Sequence, residues 1–179
     1  MTRGWILAVA VACLAGCAET QQSVDTVASA AKAQVNPTLS TTDASFITDA
    51  ARGGMAEVQL GQLAEQKGRS PAVRRFGAQM VRNHGEANTG LMALARQKQI
   101  TPPDGIGGEQ QAVYDGLAKL QGRAFDRAYA KAMVQDHQED LRAFQNEAQN
   151  GTDPDVKAFA ARQVPMLQEH LRMAQALPR

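Results

Sequence analysis

His84, His137 and His170 are all the histidines of this chain, and each stands where an apolar side chain is expected. His84 continues a stripe of Val73, Phe76, Met80, Ala87, Leu91 and Leu94. His137 lies among Phe125, Tyr129, Met133, Leu141, Phe144 and Ala148, and His170 among Val156, Ala160, Gln163, Leu167 and Ala174. Glu57 takes the same place between Phe46, Ala50, Gly53, Leu60 and Ala64. Steps of three and four put each set on one face of a helix. A polar group buried without a partner costs a few kcal/mol, so one titratable group in each of four apolar faces predicts that the four meet. Three chemistries fit such a meeting. Glu57, His84, His137 and His170 could ligate a transition metal ion, with Cu, Fe, Mn and Zn all compatible. They could form a metal-free hydrogen-bonded layer that fixes helix register. They could serve as an acid–base set on an organic substrate.

A methionine stands four residues before each histidine: Met80, Met133 and Met166. That spacing shares a helical face, and a thioether beside an imidazole is a soft donor pair suited to Cu(I). Methionine is also a common core filler. Asn83, Asp136 and Glu169 each precede a histidine. Sequence neighbours point about 100° apart on a helix, so these three are expected around a site, orienting its histidines, or on a solvated flank.

The elements that must carry these residues are four long helices and a short one. Thr42 caps the first, and Gly68 closes it. Ser70-Pro71 opens the second with a cap and a proline in the first turn. Two prolines and three glycines between Thr101 and Gly108 break the pattern. A short segment over about 109–120 follows, then a long helix from about Arg123 to Gln149. Asn150-Gly151 ends it, and Asp153-Pro154 opens the last helix, which Pro165 is expected to kink. The short turns make two antiparallel hairpins, joined by a connection of about 24 residues. Hairpins joined by one long crossover define an all-α, ferritin-like four-helix bundle over residues 41–179. At 1.5 Å per residue, Glu57 and His84 lie about 17 and 20 Å from the first turn, and His137 and His170 about 21 and 26 Å from the second. The hairpins cannot be levelled against each other this way.

The first 16 residues read as a signal peptide. Arg3 supplies the positive end, Trp5 to Ala12 the apolar stretch, and Leu14-Ala15-Gly16-Cys17 a lipobox. The apolar run is too short for a lasting membrane span. Cys17 is therefore expected to take the lipid anchor, with residues 17–40, rich in Ala, Ser, Thr and Gln, as a flexible tether reaching roughly 25 Å. Ala18, rather than Asp, follows the cysteine, which resembles lipoproteins of the outer membrane. The mature chain then interacts with a membrane through its N-terminal lipid. Its two cysteines are Cys13 and Cys17, so no disulfide remains. Hydrophobic residues make up 44% of the chain and aromatic ones 4%, which favours helices and a packed core. Without Arg3 the charges balance, and nothing suggests a nucleic-acid partner.

Several segments carry a resemblance: Gly53-Gly54-Met55-Ala56-Glu57-Val58, Met80-Val81-Arg82-Asn83-His84, Phe125-Asp126-Arg127-Ala128-Tyr129, Met133-Val134-Gln135-Asp136-His137 and Pro165-Met166-Leu167-Gln168-Glu169-His170-Leu171. Taken in order over residues 43 to 176, they resemble the envelope family called domain of unknown function 4142, often labelled a predicted outer-membrane protein. The resemblance implies a ferritin-like fold and no particular activity. The family usually has Asp-His in the second helix, where this chain has Asn83-His84, so the charge is lost and the hydrogen-bonding shape kept. Di-iron proteins of ferritin-like fold use Glu-x-x-His on two helices, whereas Val81, Val134 and Leu167 stand three before the histidines here. A carboxylate-bridged di-iron centre is not expected. No nucleophile–base pair or phosphate loop is visible. The expectation is a lipid-anchored envelope protein that binds a transition metal for metal handling or stress tolerance. The alternative is a non-enzymatic structural or interaction lipoprotein whose Glu/His layer only specifies packing. The connection from Pro102 to Gly108 reads as a linker or a partner surface.

Overall fold

A computed structural model describes residues 39–178. The signal peptide, Cys17 and most of the tether lie outside the described residues. Five helices follow in order: α1 Thr41–Lys67, α2 Pro71–Gln97, α3 Gly108–Ala118, α4 Gly122–Asn150 and α5 Pro154–Gln175. Among the described residues there is no strand, only an isolated bridge between Gly68 and Gly122. The molecule is a ferritin-like four-helix bundle. α1 packs along α2 and α4 along α5, and the two hairpins meet through α1 against α4 and α2 against α5.

The cap of α1 is Ser40, two residues before the expected Thr42. Its hydroxyl accepts from Asp43 N at 3.0 Å while Asp43 accepts from Ser40 N at 3.3 Å, a reciprocal pair that satisfies two end groups. Leu39 is already buried, so the last two residues of the expected tether belong to the packed domain. Ser70 and Asp153 cap α2 and α5 as their sequences require. α5 runs unbroken through Pro165.

α1 and α2 approach closely at Gly61 and Gly77. A Cβ on Gly77 would stand 2.6 Å from the Gly61 carbonyl oxygen, and one on Gly61 would stand 2.7 Å from that of Gly77.

Both turns are held by the opposite hairpin. Asp126, in the first turns of α4, accepts from Arg69 N and Ser70 N at 2.9 and 2.8 Å. Asp43, at the start of α1, accepts from Thr152 N, Thr152 Oγ1 and Asp153 N at 3.0, 2.5 and 3.0 Å. The turn after α1 and the start of α4 thus share one end of the bundle, and the turn after α4 and the start of α1 share the other. The crossover with α3 runs the length between them.

The core has two apolar halves. One holds Phe76, Met80, Phe125, Tyr129 and Met133, and the other Ile47, Leu91, Phe144, Phe159 and Leu167. Each large side chain so buried contributes roughly 1.5–3 kcal/mol. Glu57, His84, His137 and His170 fall between the halves, one from each long helix.

Candidate metal centre

The four groups do meet. Glu57 is 1% exposed, His84 4%, and His137 and His170 0%. Ring centroids of the three histidines are 5.1 to 5.7 Å apart. Glu57 bridges two of them: Oε2 lies 2.6 Å from His84 Nδ1, and Oε1 lies 3.3 Å from His137 Nε2. Phe76, 1% exposed, covers one side, with its ring 6.3 Å from that of His137 and 6.4 Å from that of His170.

With the Asn83 amide donating, one self-consistent set of tautomers follows. The Asn83 amide, a donor at Nδ2, lies 2.9 Å from His170 Nε2. His170 must therefore carry its proton on Nδ1, which lies 3.2 Å from His84 Nε2. His84 in turn carries its proton on Nδ1 and donates to Glu57. One directed chain thus runs from Asn83 through two imidazoles to the carboxyl. His137 donates from Nδ1 to the Met133 carbonyl oxygen at 3.0 Å, which leaves a lone pair on Nε2 facing Glu57. Glu57 Oε1, Asp136 Oδ2 and His137 Nε2 are buried and meet no fixed donor, and the Glu57 and Asp136 carboxyls hydrogen-bond each other through a shared proton. One ligand atom from each of Glu57, Asp136 and His137 falls within 4.8 Å of the others, and the same holds for the three histidines.

Burial controls the protonation states. It pushes His84 down to about 4, His137 to about 3 and His170 to about 4, with the neighbouring imidazoles adding to the last two. All three are neutral near pH 7, the state that ligates metals. Burial first, and the charge of Asp140 second, raise Glu57 well above the usual carboxylate range. Asp136 is raised by burial and by Glu57. Asp140 is pushed up to about 8, by burial and then by Asp136. Among the described residues no lysine or arginine ion-pairs with these three carboxyls.

The neighbours foreseen from sequence part company. Asn83 touches His170. Asp136 sits beside Glu57 and 3.6 Å from Nδ1 of its own neighbour His137, rather than orienting a histidine on the next helix. Glu169 turns out to Arg172, to which it is hydrogen-bonded, and is not part of the cluster. Met80 and Met133 are fully buried in the apolar half that holds Tyr129. Met166 is half-buried on the opposite side, against Phe159 and Leu167. Asp140 was not foreseen. Its position four residues after Asp136 and three after His137 was the available signal. It lies against α1 at Gly53, where a Cβ would make an ordinary contact of 3.9 Å with Asp140 Oδ1.

Fold and cluster together define a ferritin-like bundle with a histidine-rich polar centre built from all four long helices. The chain belongs to the family described as Domain of unknown function (DUF4142), whose profile matches residues 28–177. No curated protein matches the chain. Among solved structures it is similar to a DUF305 fragment from Deinococcus radiodurans, at TM-score 0.67 and 15% identity over 75% of this chain and 93% of that one. A DUF305 protein from Streptomyces coelicolor gives 0.65 and 14% over 75% and 89%. CopM in its Cu(I)-bound form gives 0.64 and 18% over 75% and 93%. At these identities the likeness is one of fold.

Proposed function

We propose that this chain is a lipid-anchored protein of the cell envelope that holds one transition metal ion in the middle of its bundle. The ligands are one ring nitrogen each of His84, His137 and His170 and a carboxylate oxygen of Glu57. One observation carries the reading: three imidazoles and two carboxyls meet in the core, with ligand atoms of His84, His137 and His170, and those of Glu57, Asp136 and His137, each within 4.8 Å of one another. A cation there takes the place of the proton that burial otherwise keeps on Glu57, and it neutralises carboxyls that have no basic partner.

The donor set fits. Tetrahedral coordination at about 2.1 Å needs nitrogens about 3.4 Å apart, and the three imidazole nitrogens already lie within 4.8 Å of one another. Ligation by His84 and His170 would replace hydrogen bonds of the Asn83–His170–His84 chain, while Glu57 already lies against His84 and His137. His137 is held through Nδ1 by its hydrogen bond to the Met133 carbonyl oxygen, as ligating histidines commonly are. Imidazole with carboxylate suits Zn, Cu or Fe. A similar fold carrying Cu(I) in CopM supports copper among these. The lipobox ending at Cys17 supports the anchor, and Ala18, by resemblance to other lipoproteins, supports an outer-membrane address. Metal handling or stress tolerance in that compartment is the role such a site would serve.

A metal-free packing layer is the competing reading, favoured by the unbroken donor chain from Asn83 to Glu57. Metal analysis of protein taken from the envelope fraction, and titration of the chelator-stripped chain with Cu, Zn, Fe and Mn, decides between them. One ion per chain is expected, with affinity falling by at least about 100-fold in His137→Ala while helicity is kept. Protein isolated free of metal that also takes up none of the four ions overturns the site.

A further inference from the structure

We propose that the cleft between α2 and α5 is the port through which a soft or borderline metal cation reaches the buried centre, with Met166 as the thioether that passes it inward. This rests on the metal reading above and adds a route and a handover residue.

The cleft has a volume of about 570 Å³, between Asn83, Glu86 and Gly90 of α2 and Phe159, Arg162 and Met166 of α5. Deeper lies a second cavity of about 20 Å³, walled by Glu57, His84 and Asp140. Roughly 10–15 Å³ suffices for one water, so the inner space takes a single ion or water. Four residues line both spaces: Ala87, Phe159, Gln163 and Met166. They are the partition between open cleft and ligands.

The sequence explains why the wall is thin here. α2 lines the cleft with the small residues Ala87, Gly90 and Ala93. Both hairpins pack more tightly within themselves than α2 does against α5. Within the partition, Gln163 offers an amide oxygen and Met166 a sulfur, so a cation shedding water meets donors before it meets Glu57 and His84. Of the three methionines paired with histidines, Met166 lines both spaces, while Met80 and Met133 are fully buried. The charged residues around the cleft are Glu86, Asp155 and Arg162.

A second groove, of about 140 Å³ between α3 and α4, reaches Met133 and Asp136 past Val113. It shares no wall with the inner cavity, which makes it the rival route.

Stopped-flow loading of the chelator-stripped full chain separates them, with Zn(II) and, anaerobically, chelated Cu(I) as probes. Ala87→Leu narrows the partition and is expected to slow both ions by at least about tenfold, with one ion per chain still bound at the end. Met166→Leu keeps the volume and removes the sulfur, and it is expected to slow Cu(I) by about tenfold relative to Zn(II). Val113→Trp, at a residue 39% exposed in the rival groove, is expected to leave both rates as they are. Loading of Ala87→Leu and Met166→Leu at wild-type rates overturns the port while leaving the site standing. Slowing by Val113→Trp alone moves the route to α3. A wild-type chain that takes up neither ion overturns the centre and the port together. Should Ala87→Leu lose its helical signal, Met166→Leu decides.

Discussion

Replacing Glu57 with glutamine sets the two readings of the buried layer against each other. In the metal-free chain burial keeps Glu57 protonated, although a carboxyl with the ordinary value of 4.5 takes a proton at pH 7 only at a cost of up to about 3 kcal/mol. Glutamine carries its hydrogens permanently. Its amide oxygen can accept from His84 Nδ1, and its NH₂ can donate to the lone pair of His137 Nε2, so both contacts of Glu57 are kept. Stripped Glu57→Gln protein is therefore expected to be more stable than wild type at pH 7, by about 1–3 kcal/mol. The advantage shrinks below about 1 kcal/mol at pH 5, where the proton costs little. Metal acts in the opposite sense. At 100 times the dissociation constant a bound ion stabilises wild type by about 2.7 kcal/mol, and a neutral amide in place of the carboxylate forfeits most of that. Urea unfolding with and without chelator, at pH 5 and pH 7, reads all four quantities. Stripped Glu57→Gln that is less stable than wild type by more than about 1 kcal/mol would refute the protonated carboxyl. An undiminished metal increment would refute Glu57 as a ligand.

Two further outcomes follow from parts of the bundle outside the centre. Glu147 is 2% exposed beside Asp43; burial, then Asp43, push it up to about 7 from 4.5. The folded chain binds the extra proton in that window, so stability falls as pH rises from about 4.5 through 7, by about 1–2 kcal/mol after allowance for solvent screening. Glu147→Gln should flatten that slope in urea titrations across pH. Gly77→Ala gains up to about 1 kcal/mol of helix propensity but drives its Cβ against the Gly61 backbone, and a net loss of about 1–2 kcal/mol is expected from thermal unfolding. Gly85→Ala, with nothing within 4 Å of its Cβ, is the control and should stabilise.

The bundle was legible because each long helix repeats its apolar face for several turns and most ends carry their own punctuation, as at Ser70-Pro71 and Asp153-Pro154. The meeting of Glu57 with three histidines was legible because polar residues interrupted four such faces. What stayed hidden was set by tertiary contacts. The axial match of the hairpins depends on Asp126 reaching the Arg69–Ser70 amides, pairings 57 and 56 residues apart that no local spacing announces. Asp136 and Asp140 flank His137 on α4, and their approach to Glu57 depends on how closely α1 and α4 pack. Met80, Met133 and Met166 have one spacing and three identical relations to a histidine, yet the handed packing of helices sends only Met166 to the cleft. Ser40 outranked Thr42 as a cap because its partner Asp43 stands at the third helical position.

The crossed grip of Asp43 and Asp126 on the opposite turns constrains how the molecule is assembled. A hairpin formed alone leaves Arg69 N and Ser70 N, or Thr152 N and Asp153 N, without their carboxylates. The N-terminal grip joins residues 109 and 110 positions apart, so it stays open until the chain has emerged past the start of α5. Once both grips close, a slide of one hairpin along the other by a single turn, about 5.4 Å, would tear both at once and part Glu57 from His137. The halves can therefore tilt or roll as a pair, but they cannot ratchet lengthwise.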